Sequence, residues 1–116
     1  MENVLLTHMA TPRRLRWVFS NYPLYFLTTS THHRRQILAR PDVYEAFVQF
    51  ALRATDYGVG VGRYVIMPDH IHVFAGFSPG AIPLSKWQKS LKNAISKVLN
   101  SATFEAPHWQ KGFFDH

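Results

Sequence analysis

The chain's 116 residues suit one domain with its own hydrophobic core, because 47% of them are apolar and 15% aromatic, a composition that excludes a disordered basic tail. It has no cysteine, which excludes disulfides and thiolate metal sites, and no apolar run long enough to span a bilayer, so neither a membrane protein nor a disulfide scaffold is expected. The net charge of +6, with a pI near 10.0, favours a polyanionic partner; with no signal-peptide pattern in Met1 to Ala10, a cytoplasmic location is the expectation.

Taken in chain order, residues 1–20 read as an N-terminal arm carrying the basic segment "TPRRLRW". "YPLYFLTTS" (Tyr22 to Ser30) is aromatic and β-branched and reads as a strand, followed by the basic loop "THHRR". "RPDVYEAFVQFALRATDYG" reads as a helix: Pro41 and Asp42 suit its start, Val43, Ala46, Phe47, Phe50 and Ala54 form one apolar stripe, and Gly58 suits its stop. "VGVGRYVIM" and "HIHVFAGF" are strand-like runs joined by Pro68-Asp69, which predicts a hairpin. Gly60 and Gly62 are no nucleotide fingerprint, since no helix follows them and the third glycine is missing.

"PLSKWQKSLKNAISKVLN" predicts a second helix, with Leu84, Trp87, Leu91, Ile95 and Val98 on its buried side. Lys86, Lys89, Asn93, Ser96 and Lys97 fall on the opposite face. "PHWQKGFFDH" reads as a last strand. The order β-α-β-β-α-β predicts an α+β, ferredoxin-like split-βαβ fold, an antiparallel sheet with two helices on one face, over a single domain spanning residues 1–116. That architecture hosts many unrelated functions, so it decides none of them.

Charge is unevenly distributed. No acid lies between Glu2 and Asp42, where Arg13, Arg14, Arg16, Arg34, Arg35 and Arg40 occur, and none lies between Asp69 and Glu105, where Lys86, Lys89, Lys92 and Lys97 occur. Two acid-free basic segments suit a phosphate-binding face, although a solvated surface has the same appearance.

The stretch "YVIMPDHIHVF" (Tyr64 to Phe74) carries the sharpest signal. His70 and His72 are two residues apart in a strand and therefore share a side with Phe74, while Ile71, Val73, Ala75 and Phe77 share the core side. Side-by-side neutral imidazoles on a rigid strand can grip one divalent ion. Two satisfied surface histidines are the plain alternative. Structural zinc is a third, but it normally takes four ligands and no thiol is available.

The same stretch resembles the hairpin of the HUH (histidine-hydrophobic-histidine) tyrosine transposases, especially the REP-associated tyrosine transposases and their insertion-sequence relatives. Those have a strand, then Met-Pro-Asn or its Asp variant, then His-hydrophobic-His. "YFLTTSTHHRRQIL", "WQKSLKNAISKVLN" and "HWQKGFFDH" are similar to further family segments in the same order, so the resemblance spans roughly residues 22 to 116.

The resemblance implies a ferredoxin-like fold and His70 and His72 as ligands of Mg2+ or Mn2+. It also implies single-stranded or hairpin DNA as partner, and cleavage and rejoining through a tyrosine that forms a 5′-phosphotyrosine. Arg34, Arg35, Lys86, Lys89 and Lys97 are the expected phosphate contacts. The family's nucleophilic tyrosine follows the "FFDH"-like segment on a helix. Here Tyr22, Tyr25, Tyr44, Tyr57 and Tyr64 all lie upstream of it. The nucleophile is therefore expected beyond His116, and these residues alone are expected to bind without forming the adduct. Monomer and homodimer both occur among such proteins and both stay open. Two other readings remain: a non-catalytic nucleic-acid-binding module of the same fold, and a structural or small-molecule-binding protein.

Overall fold

The computed structural model describes residues 23–111 and the backbone of residues 114–115. The expected N-terminal arm, residues 1–20, lies outside the described residues. The elements follow as β1 (Leu24–Ser30), α1 (Pro41–Ala54), β2 (Val59–Met67), β3 (His70–Phe77), α2 (Leu84–Ser101) and β4 (Phe114–Asp115). Short 3-10 turns cover His32–Arg34 and Thr55–Tyr57. The strands form one antiparallel sheet in the order β2-β3-β1-β4. This is the expected split βαβ topology: β3 lies between β1 and β2, which a crossover through α1 connects.

Alternation along the strands decides which face carries the core. In β3, Ile71, Val73, Ala75 and Phe77 are buried, and so are Leu27 and Thr29 of β1. Against them pack Val43, Phe47 and Ala54 of α1 and Trp87, Leu91, Ile95 and Leu99 of α2. The apolar stripes read from the sequence are thus the packed faces, with Leu99 joining them. α1 begins where Arg40 and Pro41 end an extended stretch, because proline fixes its own φ and restricts the residue before it. It runs out into the 3-10 turn and stops at Gly58, whose φ of +81° is the left-handed conformation glycine adopts without steric cost.

Two features depart from a simple alternation. Val61 pairs with Ala75 but Tyr64 with Val73, so Gly62 and Arg63 together oppose Phe74 as a β-bulge. The bulge lets Val61 and Tyr64 both face the core although they are three residues apart. Among the described residues the last strand is seen in two places. Trp109 makes an isolated bridge to Thr31, and Phe114–Asp115 pairs with Leu27 and Thr28. Residues 108–109 are held by α2: His108 Nδ1 lies 2.8 Å from Ser96 Oγ, and Trp109 Nε1 donates to the same oxygen at 2.9 Å. Ser96 therefore does not sit on a bare polar face; it anchors the segment that follows the helix.

Candidate metal and nucleic-acid site

The hairpin turn Pro68-Asp69 closes β2 onto β3 with Met67 opposite His70. Its carbonyls are taken up by the loop that follows β1. Thr31 N donates to Asp69 O at 3.0 Å and Leu38 N to Pro68 O at 2.9 Å. The buried Thr31 hydroxyl donates toward Arg35 O at 2.8 Å and Asp69 O at 3.2 Å. The first loop and the hairpin turn thus form one hydrogen-bonded corner at the end of the sheet.

His70 and His72 leave this corner on the sheet face away from the helices, with their ring centroids 4.6 Å apart and Ile71 fully buried behind them. Both rings are partly buried. The expected sharing of one face is what the fold shows. Each Nδ1 meets an oxygen: that of His70 lies 2.7 Å from Asp69 Oδ1, and that of His72 lies 3.0 Å from Thr28 Oγ1 on the neighbouring strand. The second Asp69 oxygen accepts from Arg34, at 2.9 Å from both Nε and Nη2. The hydrogen bond with His70 and the nearby Arg34 guanidinium hold the Asp69 carboxyl below its ordinary range, so it is an anion and only accepts.

Along β1 and β3 the same face carries an aromatic cluster. Phe26 lies 4.7 Å from Phe74 and stacks on His72 at 5.2 Å. Phe74 is 38% exposed. On β2, Val65 and Met67 border the histidines, and the exposed Arg63 belongs to the same alternating set. Asp69, Thr28, Phe26 and Arg63 were not singled out as site residues from the sequence. Only Asp69, next to His70 in the chain, carried a local signal.

The expected cations do not form one cluster. Arg34 is ion-paired with Asp69 beside His70. Arg35 Nη1 donates to the carbonyls of Glu105 at 2.8 Å and Pro107 at 3.2 Å, tying the first loop to the segment after α2. Lys86, Lys89 and Lys97 are exposed on the outer side of α2, opposite its buried Trp87, Leu91 and Ile95. The sheet therefore lies between these lysines and the histidines. Among the described residues no group of three His, Cys, Asp or Glu is arranged to hold a metal, and no helix is long and apolar enough to cross a membrane.

The described tyrosines lie elsewhere. Tyr25 contacts Phe77 on the core side. Tyr44 is on α1, and Tyr57 is exposed after it. Tyr64 is buried against Phe47, and burial raises its pKa well above the ordinary phenol value, the opposite of what activates a nucleophile.

The sequence has no match among curated proteins. The chain is similar in structure to a protein described as a transposase from Deinococcus radiodurans R1, with 25% identity and a TM-score of 0.64 over 82% of this chain and 78% of that one. It is also similar to a REP-associated tyrosine transposase solved bound to a REP hairpin, with a TM-score of 0.63 over 93% of this chain. That second likeness, at 19% identity, is one of fold, and the present chain spans 61% of its length. The family profile described as "Transposase IS200 like" matches residues 21–116, and the chain belongs to that family.

Proposed function

We propose that this chain is the metal- and DNA-handling domain of a transposase that cleaves and rejoins single-stranded or hairpin DNA, with His70 and His72 as ligands of Mg2+ or Mn2+. The observation that carries this reading is the pair itself: two imidazoles side by side on one strand, each with Nδ1 at an oxygen partner. Metal-ligating histidines characteristically have their second ring nitrogen engaged in this way. The donor set also fits the ion. Two imidazoles leave most of a six-coordinate shell for oxygen from phosphate or water, whereas structural zinc would call for four protein ligands. When bound, the ion would supply Lewis-acid polarisation of a phosphate oxygen.

The chain's own residues supply position. β3 holds the two rings in register, Thr28 and Asp69 restrict their rotation, and Phe26 and Phe74 offer apolar ring surface beside them on which a base could stack. A tyrosine nucleophile acting here would come from outside the described residues, since no described tyrosine shares the histidine face. The structurally similar transposase bound to a hairpin supports hairpin DNA as the partner. Lys86, Lys89 and Lys97 lie too far around the domain to meet the strand at the histidines, and suit the paired stem of such a hairpin instead.

The test is a calorimetric titration of the chain with Mn2+. Wild type should bind, and His70→Ala with His72→Ala should abolish binding while the circular dichroism spectrum is retained. Unchanged binding would reject the site. The aromatic cluster also favours a second reading, a nucleic-acid module without metal chemistry. It would be preferred if DNA bound equally well with and without manganese and the double histidine variant had no effect.

A further inference from the structure

Resting on the reading of His70 and His72 as metal ligands, we infer that Arg34 and Asp69 are positioning residues that preset His70, and that Arg34 acts at this site through Asp69. The geometry fixes a proton. Asp69 Oδ1 lies 2.7 Å from His70 Nδ1, and a carboxylate can only accept. Two lone pairs at that distance would repel, so Nδ1 carries a hydrogen, and of the two neutral tautomers the one with its lone pair on Nε2 is selected. Arg34 Nη2, at 3.4 Å from the same Nδ1, is too distant and competes with a much closer anion. Nε2, the metal-binding nitrogen, is thereby ready before any ion arrives.

Arg34 completes the device by holding the other carboxylate oxygen. Its Nε and Nη2 both lie 2.9 Å from Asp69 Oδ2, so Oδ1 is left facing His70 and the carboxylate cannot rotate without breaking these bonds. An ion pair whose arginine side chain is 57% exposed adds little to stability. Its value is orientation. The backbone supports this: His33 and Arg34 both have positive φ, 56° and 54°, a left-handed conformation that is unfavourable for a non-glycine residue. Such conformations persist where the surroundings over-determine them, here through the Thr31 and Leu38 bonds to the hairpin turn. His72 differs, because the Thr28 hydroxyl can either donate or accept and does not by itself select a tautomer. His70 is the preset ligand of the two.

The inference is tested on the metal-free chain first, by long-range proton–nitrogen NMR of the histidine rings. Wild-type His70 should show a protonated Nδ1 and an unprotonated Nε2, and Asp69→Ala should shift it toward the Nε2-protonated form that free histidine prefers. Manganese affinity should then fall about 10–100-fold in Asp69→Ala, with a smaller fall in Arg34→Ala. The exposed Arg34 can be replaced without threatening the fold, so that variant serves if Asp69→Ala does not fold. Wild-type tautomer and affinity in both variants, alongside loss of binding when both histidines are replaced, would overturn the inference and leave the metal site standing. Manganese binding that survives replacement of both histidines would overturn the site and the inference with it.

Discussion

Gly58→Ala should destabilise the fold severely while leaving the histidine site intact. Gly58 has φ +81°, and a β-carbon there would lie 2.6 Å from Ser78 Oγ and 2.9 Å from Ala81 Cα. The left-handed backbone costs alanine roughly 1–2 kcal/mol, and relieving overlap in a packed region costs roughly 1–3 kcal/mol more, so about 2–5 kcal/mol is expected. The residue cannot simply back away, because its N–H donates to Thr55 O at 3.1 Å and its carbonyl accepts from Ser78 N at 2.9 Å. Urea denaturation should show this as a lowered midpoint, and a thermal scan as a drop on the order of 10 °C. Adding Ser78→Ala removes one overlap but neither the Ala81 backbone contact nor the positive φ, so it should restore less than half of the loss. Manganese affinity below the melting range should be unchanged, because β2 carries the chain roughly 25 Å from Gly58 to the hairpin turn. Stability within about 0.5 kcal/mol of wild type, or full rescue by Ser78→Ala, would refute this account.

Three further outcomes are expected. Arg40 donates to both Asp42 oxygens, at 2.9 and 3.0 Å, and these bonds hold the carboxyl below its ordinary range. Its stabilisation is therefore present above the ordinary carboxylate pKa and lost as pH falls through the depressed one; with both side chains more than a third exposed it amounts to about 0.5 kcal/mol, and Asp42→Asn should flatten the acid limb of the stability curve by that amount. Arg35→Met should cost about 1–2 kcal/mol in chemical denaturation by freeing two carbonyls, with no change in the salt dependence of DNA binding. Replacing Lys86, Lys89 and Lys97 together by alanine should make the log–log salt slope for hairpin DNA shallower by about 2–3, and should leave the slope for unpaired strands alone.

The histidine face was legible because a strand has period two: once Tyr64 to Phe74 reads as a hairpin, His70 and His72 must project together. The helix stripes and element order were legible for the same kind of reason. What surrounds the pair was not. Thr28 meets His72 across 44 residues of sequence, and only the β1–β3 register brings them together. Nothing in "THHRR" signals that His33 and Arg34 turn left-handed, so Arg34 reads as an outward cation when its guanidinium is folded back onto Asp69. Asp69 itself reads as a turn former, which it also is, and that sufficient local role hides the second one. The bulge at Gly62 and Arg63 has no reliable signal in one sequence, since either glycine of "VGVG" could have supplied it.

Charge that looks uniform in the sequence is divided by the fold into two kinds. Arg34, Arg35 and Arg40 are engaged by Asp69, by the Glu105 and Pro107 carbonyls and by Asp42, so three of the arginines behind the basic first segment act within the protein. Lys92 is partly buried, its charge disfavoured by desolvation, and it reaches toward the Gln110 carbonyl. Among the described residues, the exposed cations outside these pairs are Arg63, on the histidine side of the sheet, Arg53, Lys86, Lys89 and Lys97, on the helices, and Lys111, beyond α2. Under the proposed function, the net charge of +6 overstates what the described residues would offer a DNA strand at His70 and His72, where apolar ring surface and a bound ion would supply most of the contact. On the same proposal, a strand joined to a folded stem, which can reach both sides of the sheet, should bind more tightly than a bare strand of equal length. Equal affinity for the two in a titration would count against the division of roles between the faces.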